Sequence, residues 1–357
     1  MAQARDGRQL SFADVAAEGR RRKLGEKRGR HLAMIGELVP WEDFRPVLEA
    51  VWRKAGDERK SAAGRKPWDA VLMFKAIVLG ALYNLSDEAL EHEMGDRLTF
   101  MQFLGLGLED RIPDATTVWL YRERLAKAGV VEKLFEMFDA FLRERGYQAM
   151  GGQIIDASIV PVPTQRNSKE ENAEIKAGDI PAGWVEGSAN KLAQKNLDAR
   201  WTKRNGVSHY GYKNHVSTDR RHKLVRRYSV TDAATHDSQV IGQVLDPDNT
   251  AAPVWADKAY RSREIEALLA ELGYESRIMR KGSATKELTR REKQGNGTKA
   301  RVRARVEHVF GSQANDMGGT LVRSIGAMRA RAHVGLRNLA YNMRRFTHLE
   351  RAAPATA

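Results

Sequence analysis

Residues 151–160 read GGQIIDASIV, and the reading of this stretch decides the fold. The two glycines interrupt the helical character of the chain before them. The segment that follows, from Gln153 to Val160, alternates and is rich in β-branched residues, which predicts a strand. Asp156 lies inside it. A carboxylate among apolar neighbours is costly to bury unless it is paired or binds a cation. The plain alternative is a half-exposed strand with Asp156 turned to water.

Working outward toward the C-terminus, 210–217 and 223–230 read as two further strands joined by a turn at Asp219-Arg220. A short helix is expected at 237–245 and a short apolar strand at 253–256. A helix capped by Ser262 and closed by Gly273 follows, then a fifth strand at 274–279. Residues 280–298 read as a basic, glycine-containing loop, and 299–312 and 335–349 as helices. The order β-β-β-α-β-α-β-α is that of an RNase H-like domain. Its mixed five-stranded sheet has three antiparallel strands followed by parallel strands with crossover helices, an α+β or α/β architecture. The segment 164–205 lacks apolar periodicity and reads as a polar insertion or mobile loop.

Toward the N-terminus the pattern is helical. Residues 70–85 form the most apolar run, punctuated by Lys75; it is too short to span a bilayer. Asp114 or Thr116 can cap a helix carrying Val118, Trp119, Tyr121, Arg122 and Arg124. Leu134, Phe135, Phe138 and Leu142 mark one face of another helix, ended by Gly146. The expected organisation is a basic N-terminal segment 1–60, an all-helical domain 61–147, the RNase H-like domain 148–348 with its insertion, and a flexible tail 349–357.

The chain has 357 residues, a formal charge of +14 despite 46 acidic residues, and no cysteine. This excludes disulfides, thiolate zinc sites and a cysteine nucleophile. The basic excess favours a polyanionic partner, because neutralising phosphates releases their condensed counterions. No apolar leader opens the sequence, so a cytoplasmic, nucleoid-associated location without membrane is expected.

Two further acids draw attention. Asp257, in VWADKAYR, falls at the end of the fourth strand, where ligands gather in sheets with crossover helices. The alternative is a helix-capping aspartate, weakened by a helix that reads as starting near Ser262. Glu307, in RARVEHVF, borders the stripe of Val302, Val306, Val309 and Phe310, with Arg303 one turn earlier. Taken alone it is an ordinary surface ion pair. In an RNase H-like sheet, however, the first strand, the fourth strand end and the helix after the fifth strand converge. Three carboxylates there call for hard cations: two Mg²⁺, with Mn²⁺ as substitute, disposed for in-line phosphoryl transfer.

At these residues the chain resembles the bacterial insertion-sequence DDE transposases, specifically the insertion sequence five family. The matching segments are IIDASIV (154–160), HYGYKNHVSTD (209–219), VTDAATHDSQ (230–239), WADKAYRS (255–262) and RVEHVFG (305–311), with IPDATTVWLYRERL (112–125) in the helical region. The resemblance implies an enzyme with Asp156, Asp257 and Glu307 as catalytic, metal-binding triad. It would cleave the ends of its element and join the 3′-OH ends to target DNA. It also implies double-stranded DNA partners, both terminal inverted repeats and target, and at least a homodimer to hold two ends. Arg303 fills the family's arginine four residues before the glutamate. Ala314 stands where the family has a basic residue.

Candidate DNA contacts are Lys213, His236, Lys258, Tyr260 and Arg261 near the strand ends, and Lys281, Arg301 and Arg303 in the basic run before Glu307. Arg122, Arg124 and the basic cluster at 20–30 are candidates for terminal-repeat recognition. For Arg301 and its neighbours the ordinary alternative is a solvated charged face, and His236 can simply cap a helix. The rival functions are an RNase H-like nuclease without strand transfer and a catalytically silent, transposase-derived DNA-binding protein.

Overall fold

The structure is a computed structural model, and it describes residues 30–52, 67–185, 192–282 and 287–352. Most of the basic cluster at 20–30 and most of the remaining N-terminal segment lie outside the described residues. The chain divides into two compact units, 1–130 with 343–357, and 131–342.

The first unit is helical: α1 (Arg30–Leu38), α2 (Arg45–Trp52), α3 (Ala70–Tyr83), α4 (Asp87–Asp96), α5 (Leu98–Leu104) and α6 (Ala115–Ala128). Helix α3 is apolar all round because it is buried nearly all round. Asp69 caps its start by accepting from the Leu72 amide at 3.0 Å, and Asn84 ends it in the left-handed region. Lys75, the one charge in that run, places its ammonium 5.4 Å from the Trp41 ring and 5.7 Å from the Phe103 ring. Burial holds its pKa below the usual lysine range. Asp114, rather than Thr116, caps α6 by accepting from the Thr117 amide at 2.7 Å. No single described helix is long and apolar enough to cross a membrane.

The second unit opens with α7 (Val131–Glu144). The helical pattern of 131–145 looks continuous with the helices before it, but α7 belongs with the sheet. Phe135 meets Tyr228 edge-on at 5.0 Å. Arg226, fully buried, donates to Asp139 of α7 at 2.6 Å and to Asp219 at 3.2 Å. That charge network is enclosed on both sides, so removing one partner would leave an unpaired buried ion.

The sheet is built on β1 (Gln153–Pro161). After it come α8 (Lys169–Ala177), α9 (Ala182–Val185), β2 (Arg200–Arg204), β3 (Val207–Asp219) and β4 (Val225–Asp232). Next are α10 (Ile241–Val244), β5 (Pro253–Trp255), α11 (Arg263–Glu271), β6 (Glu275–Ser276), α12 (Arg290–Arg303), α13 (Glu307–Gly311) and α14 (Ala327–Ala352). β1 pairs antiparallel with β3 and parallel with β5, β4 pairs antiparallel with β3, and β6 parallel with β5. The path β4-β3-β1-β5-β6, three antiparallel strands followed by two parallel ones, is the RNase H-like arrangement. A sixth strand, β2, adds to the first part of β3. Gly152 explains the paired glycines: at φ +88° it starts β1 so close to β5 that a Cβ would lie 2.4 Å from the Pro253 carbonyl.

β1 buries both faces. Ile155 joins Val254, Ile241, Val244, Tyr260 and Leu269 on one side. Val160 joins Tyr212, Val230, Ala330 and Val334 on the other. Asn214 of β3 and Asn338 of α14 exchange amide hydrogen bonds at 3.0 and 3.1 Å, which ties the last helix to the second face.

Two segments depart from the sequence reading. The insertion 164–205 is folded where described. Ser168 and Glu171 form a capping box on α8, and the fully buried Trp184 indole donates to Glu171 at 2.6 Å. β2 and β3 form a hairpin across Asn205-Gly206, both at positive φ (51° and 82°), as a two-residue turn requires. The basic loop is also largely helix. Thr289 and Glu292 form a second capping box and start α12 at Arg290, well before the expected 299.

Candidate active site

Side chains opposite one another in an antiparallel pair share a face. Asp156 stands opposite Val216, and Ser158 opposite Asn214. Asp156 therefore projects toward the side covered by α12 and α14, not to water. It is 8% exposed. Its Oδ1 accepts from the Ala157 amide at 2.9 Å, and its Oδ2 is bound by Nη1 of Arg303, at the end of α12. Burial pushes the Asp156 carboxyl above the usual carboxylate range. Arg303 opposes that shift, and the negative charge of Asp257 adds to it.

Asp257 follows β5 directly, and β5 lies beside β1. Its carboxylate accepts from the Ala259 amide and caps a three-residue 3₁₀ turn, Lys258–Tyr260. The capping role weighed against catalysis is thus real, and the turn begins ahead of the helix at Ser262. It does not remove Asp257 from the site, because its charge acts on both Asp156 and Tyr260.

Glu307 begins α13 and is 66% exposed at its side chain, with Oε1 4.0 Å from Nη2 of Arg303. Arg303 thus stands between Asp156 and Glu307. Among the described residues no group of three or more acids and histidines is placed to hold a metal ion. The donor chemistry of Asp156 and Asp257, two hard carboxylates in mutual electrostatic range with one buried, suits a divalent cation such as Mg²⁺. This conformation does not gather Glu307 with them into a metal-holding group, and its side chain stays largely exposed.

The candidate DNA contacts divide by exposure. Lys258, Lys281 and Arg301 are exposed. Tyr260 is not a surface contact: it is 1% exposed within the core, and its buried hydroxyl has no hydrogen-bond partner among the described residues. Burial raises its pKa, and the charges of Asp237, Asp156 and Asp257 raise it further. Lys213 is held internally, donating to the Thr235 carbonyl at 2.7 Å and to Asp237 at 2.8 Å. His236, exposed, accepts from the Ser238 amide at 3.3 Å and caps a short 3₁₀ turn, its ordinary alternative. Arg261 binds the Ile278 carbonyl and Glu266, both at 3.2 Å. In the first unit Arg122 grips Asp87 with both arms, one at 2.7 Å, and Arg124 reaches the Trp52 carbonyl at 3.3 Å. Both side chains are therefore engaged within their own unit.

Arg204 was missed by the sequence reading. It ends β2, is exposed, and its charge acts on both Asp156 and Tyr260. The signal was present: Asn205-Gly206 between alternating segments is a strong local hairpin mark. The polar residues of β2 mask it in the sequence.

A family model described as a transposase DDE domain matches residues 147–343, and one described as a transposase domain (DUF772) matches residues 20–124. Among solved structures, the cryo-EM structure of a piggyBac transposase synaptic complex with hairpin DNA is similar. It has a TM-score of 0.45 and 12% identity, covering 91% of this chain and 75% of that one. With the DDE-domain model spanning more than half of its length, the chain belongs to the DDE-domain transposase family.

Proposed function

We propose that this chain is a metal-dependent DNA transposase of the insertion sequence five type. It cleaves the ends of its element and joins the 3′-OH ends to target DNA at a centre formed by Asp156, Asp257 and Glu307. The observation that carries the reading is Asp156. It is a buried carboxylate on the central strand, beside the strand end bearing Asp257, and its counter-ion Arg303 comes from the chain segment that leads into Glu307.

Asp156 and Asp257 would hold Mg²⁺ or Mn²⁺, with Glu307 completing the ligand set once Arg303 releases Asp156. Such a cation supplies the positive charge that phosphoryl transfer between oxygens needs. Arg303, freed, is a bidentate donor suited to a phosphate. The exposed Lys258, Lys281, Arg301 and Arg204 would run along the DNA backbone. The terminal inverted repeats and the target would both be duplex partners, handled by at least two copies. A cytoplasmic location is part of the same proposal.

The test is Mg²⁺-dependent cleavage of duplex DNA carrying the element's ends. Asp156→Asn, Asp257→Asn and Glu307→Gln should each abolish it, and full activity in any of the three removes that residue from the centre. Pre-cleaved ends incubated with supercoiled DNA separate the two chemistries: joined product marks a transposase, and cleavage without joining marks a nuclease.

A further inference from the structure

The folded insertion carries a cleft of about 550 Å³ that no role assigned above uses. Its wall is an aromatic pair on the β2–β3 hairpin. Trp201, 48% exposed, lies against Tyr210 with ring centroids 5.2 Å apart. Its opposite side is α8, which contributes Lys169, Asn172 and Lys176. Neither lysine has an ion pair among the described residues, and both are exposed. The one acid lining the cleft, Asp232, is spent on its own loop, accepting from the Ala234 and Thr235 amides at 2.8 and 3.1 Å and the Thr235 hydroxyl at 2.6 Å.

A large aromatic face left open to solvent, with two exposed lysines on the opposite side, matches one chemistry well. A flat heterocycle stacks on the indole, and its phosphate meets the lysines. A strand rises about 3.3 Å per residue, so Trp201 lies roughly 10 Å along β2 from Arg204, whose charge acts on Asp156. We infer that this cleft binds an unpaired nucleobase of the DNA substrate, stacked on Trp201, with the adjoining phosphate on Lys169 and Lys176. A base is available to such a cleft only where the duplex is open, so the site reads single-stranded ends or a base displaced from its stack.

This inference rests on the proposed action on DNA, but its test is independent of cleavage. The full-length Asp156→Asn chain, in chelator, is titrated by fluorescence anisotropy with a blunt duplex and with the same duplex bearing an unpaired 3′ thymidine tail. The tailed duplex should bind more tightly. Adding Trp201→Ala should weaken tailed binding by roughly 5- to 100-fold and leave blunt binding within about twofold, and Trp201→Phe should retain most of the preference. Equal tailed affinity in Trp201→Ala overturns the inference. So does a change in sedimentation with DNA binding unchanged, which would mean that a second copy covers Trp201. Should Trp201→Ala melt early, photocrosslinking of a 5-iodouracil tail to the parent chain decides. A crosslink on Trp201 or Tyr210 supports the site, and crosslinks found only elsewhere refute it. Cleavage retained by Asp156→Asn in Mg²⁺, together with preserved tail preference, would instead sink the catalytic proposal alone.

Discussion

At the scale of single residues, the ion pair between Asp156 and Arg303 matters most. Asp156 is buried, and Arg303 is 24% exposed at its side chain, so the pair is partly shielded from water. Arg303→Ala would leave the carboxylate unpaired and should cost about 2–3 kcal/mol, below the ~3–5 of a fully buried pair. Asp156→Asn carries no charge to strand, so the double variant should recover most of that loss; additive urea-unfolding energies would show the pair to be incidental. His215 makes a second prediction. It is fully buried on β3, and burial depresses its pKa from 6.5 to about 4, with Lys213 adding to that and Asp237 and Asp232 opposing it. The folded state keeps the ring neutral while the unfolded chain takes up a proton below about pH 6.5. Its contribution is therefore complete above that pH and lost as pH falls toward 4, by at most ~3 kcal/mol. His215→Gln should flatten that part of the stability–pH curve, read from unfolding midpoints at pH 7 and 4.5. An unchanged curve would place the acid sensitivity elsewhere, for example at His31, which burial also lowers to about 4.

Elements raise a different question: what holds a helix that buries nothing. α12 has no buried residue and contains Gly295 and Gly297, at each of which a Cβ would meet no atom within 4 Å. Its local support is the reciprocal Thr289–Glu292 box, and its far end is tied down through Arg303. Gly295→Ala and Gly297→Ala should each stabilise the helix by about 1 kcal/mol. Thr289→Ala should cost about 1 kcal/mol. Amide hydrogen exchange across 290–303 reads both, slowing in the first pair and quickening in the last; no change would mean that α12 opens only with the whole unit. In the sequence this helix hid behind its charge, since six basic residues among fourteen with two glycines resemble a loop more than a helix. The capping box was the signal that outweighed composition. The β2–β3 hairpin hid likewise, behind polar strands joined by the turn that specified them.

Over the whole molecule, the charge of +14 implies binding that weakens steeply with salt. The structure separates the cations able to contribute from those already engaged. Lys258→Ala with Arg301→Ala, both exposed, should lower the slope of log affinity against log salt by about 2, whatever the duplex sequence. Arg122→Ala should instead cost the first unit about 1 kcal/mol and leave the slope alone, because its charge is committed to Asp87. A salt titration of the two variants, with melting curves alongside, distinguishes these outcomes; a shallower slope from Arg122→Ala would return that residue to the DNA surface.

The amino-acid sequence by itself determined what short-range physics controls. The alternation of β1, the caps at Asp114 and Ser262 and the order of strands and helices along the chain were legible, because each depends on neighbours a few residues away. The tertiary structure decided which partner each long side chain meets. Arg303 and Asp156 are 147 residues apart, and no local pattern distinguishes a guanidinium that reaches the first strand from one that stays at the surface. The same holds for Tyr260, which its place near a strand end marked for DNA and the core claimed. It holds too for α7, whose apolar face fits helices or sheet equally well until Tyr228 and Arg226 are in place. Burial is a property of the assembled fold, and it sets both the cost of a charge and its partner.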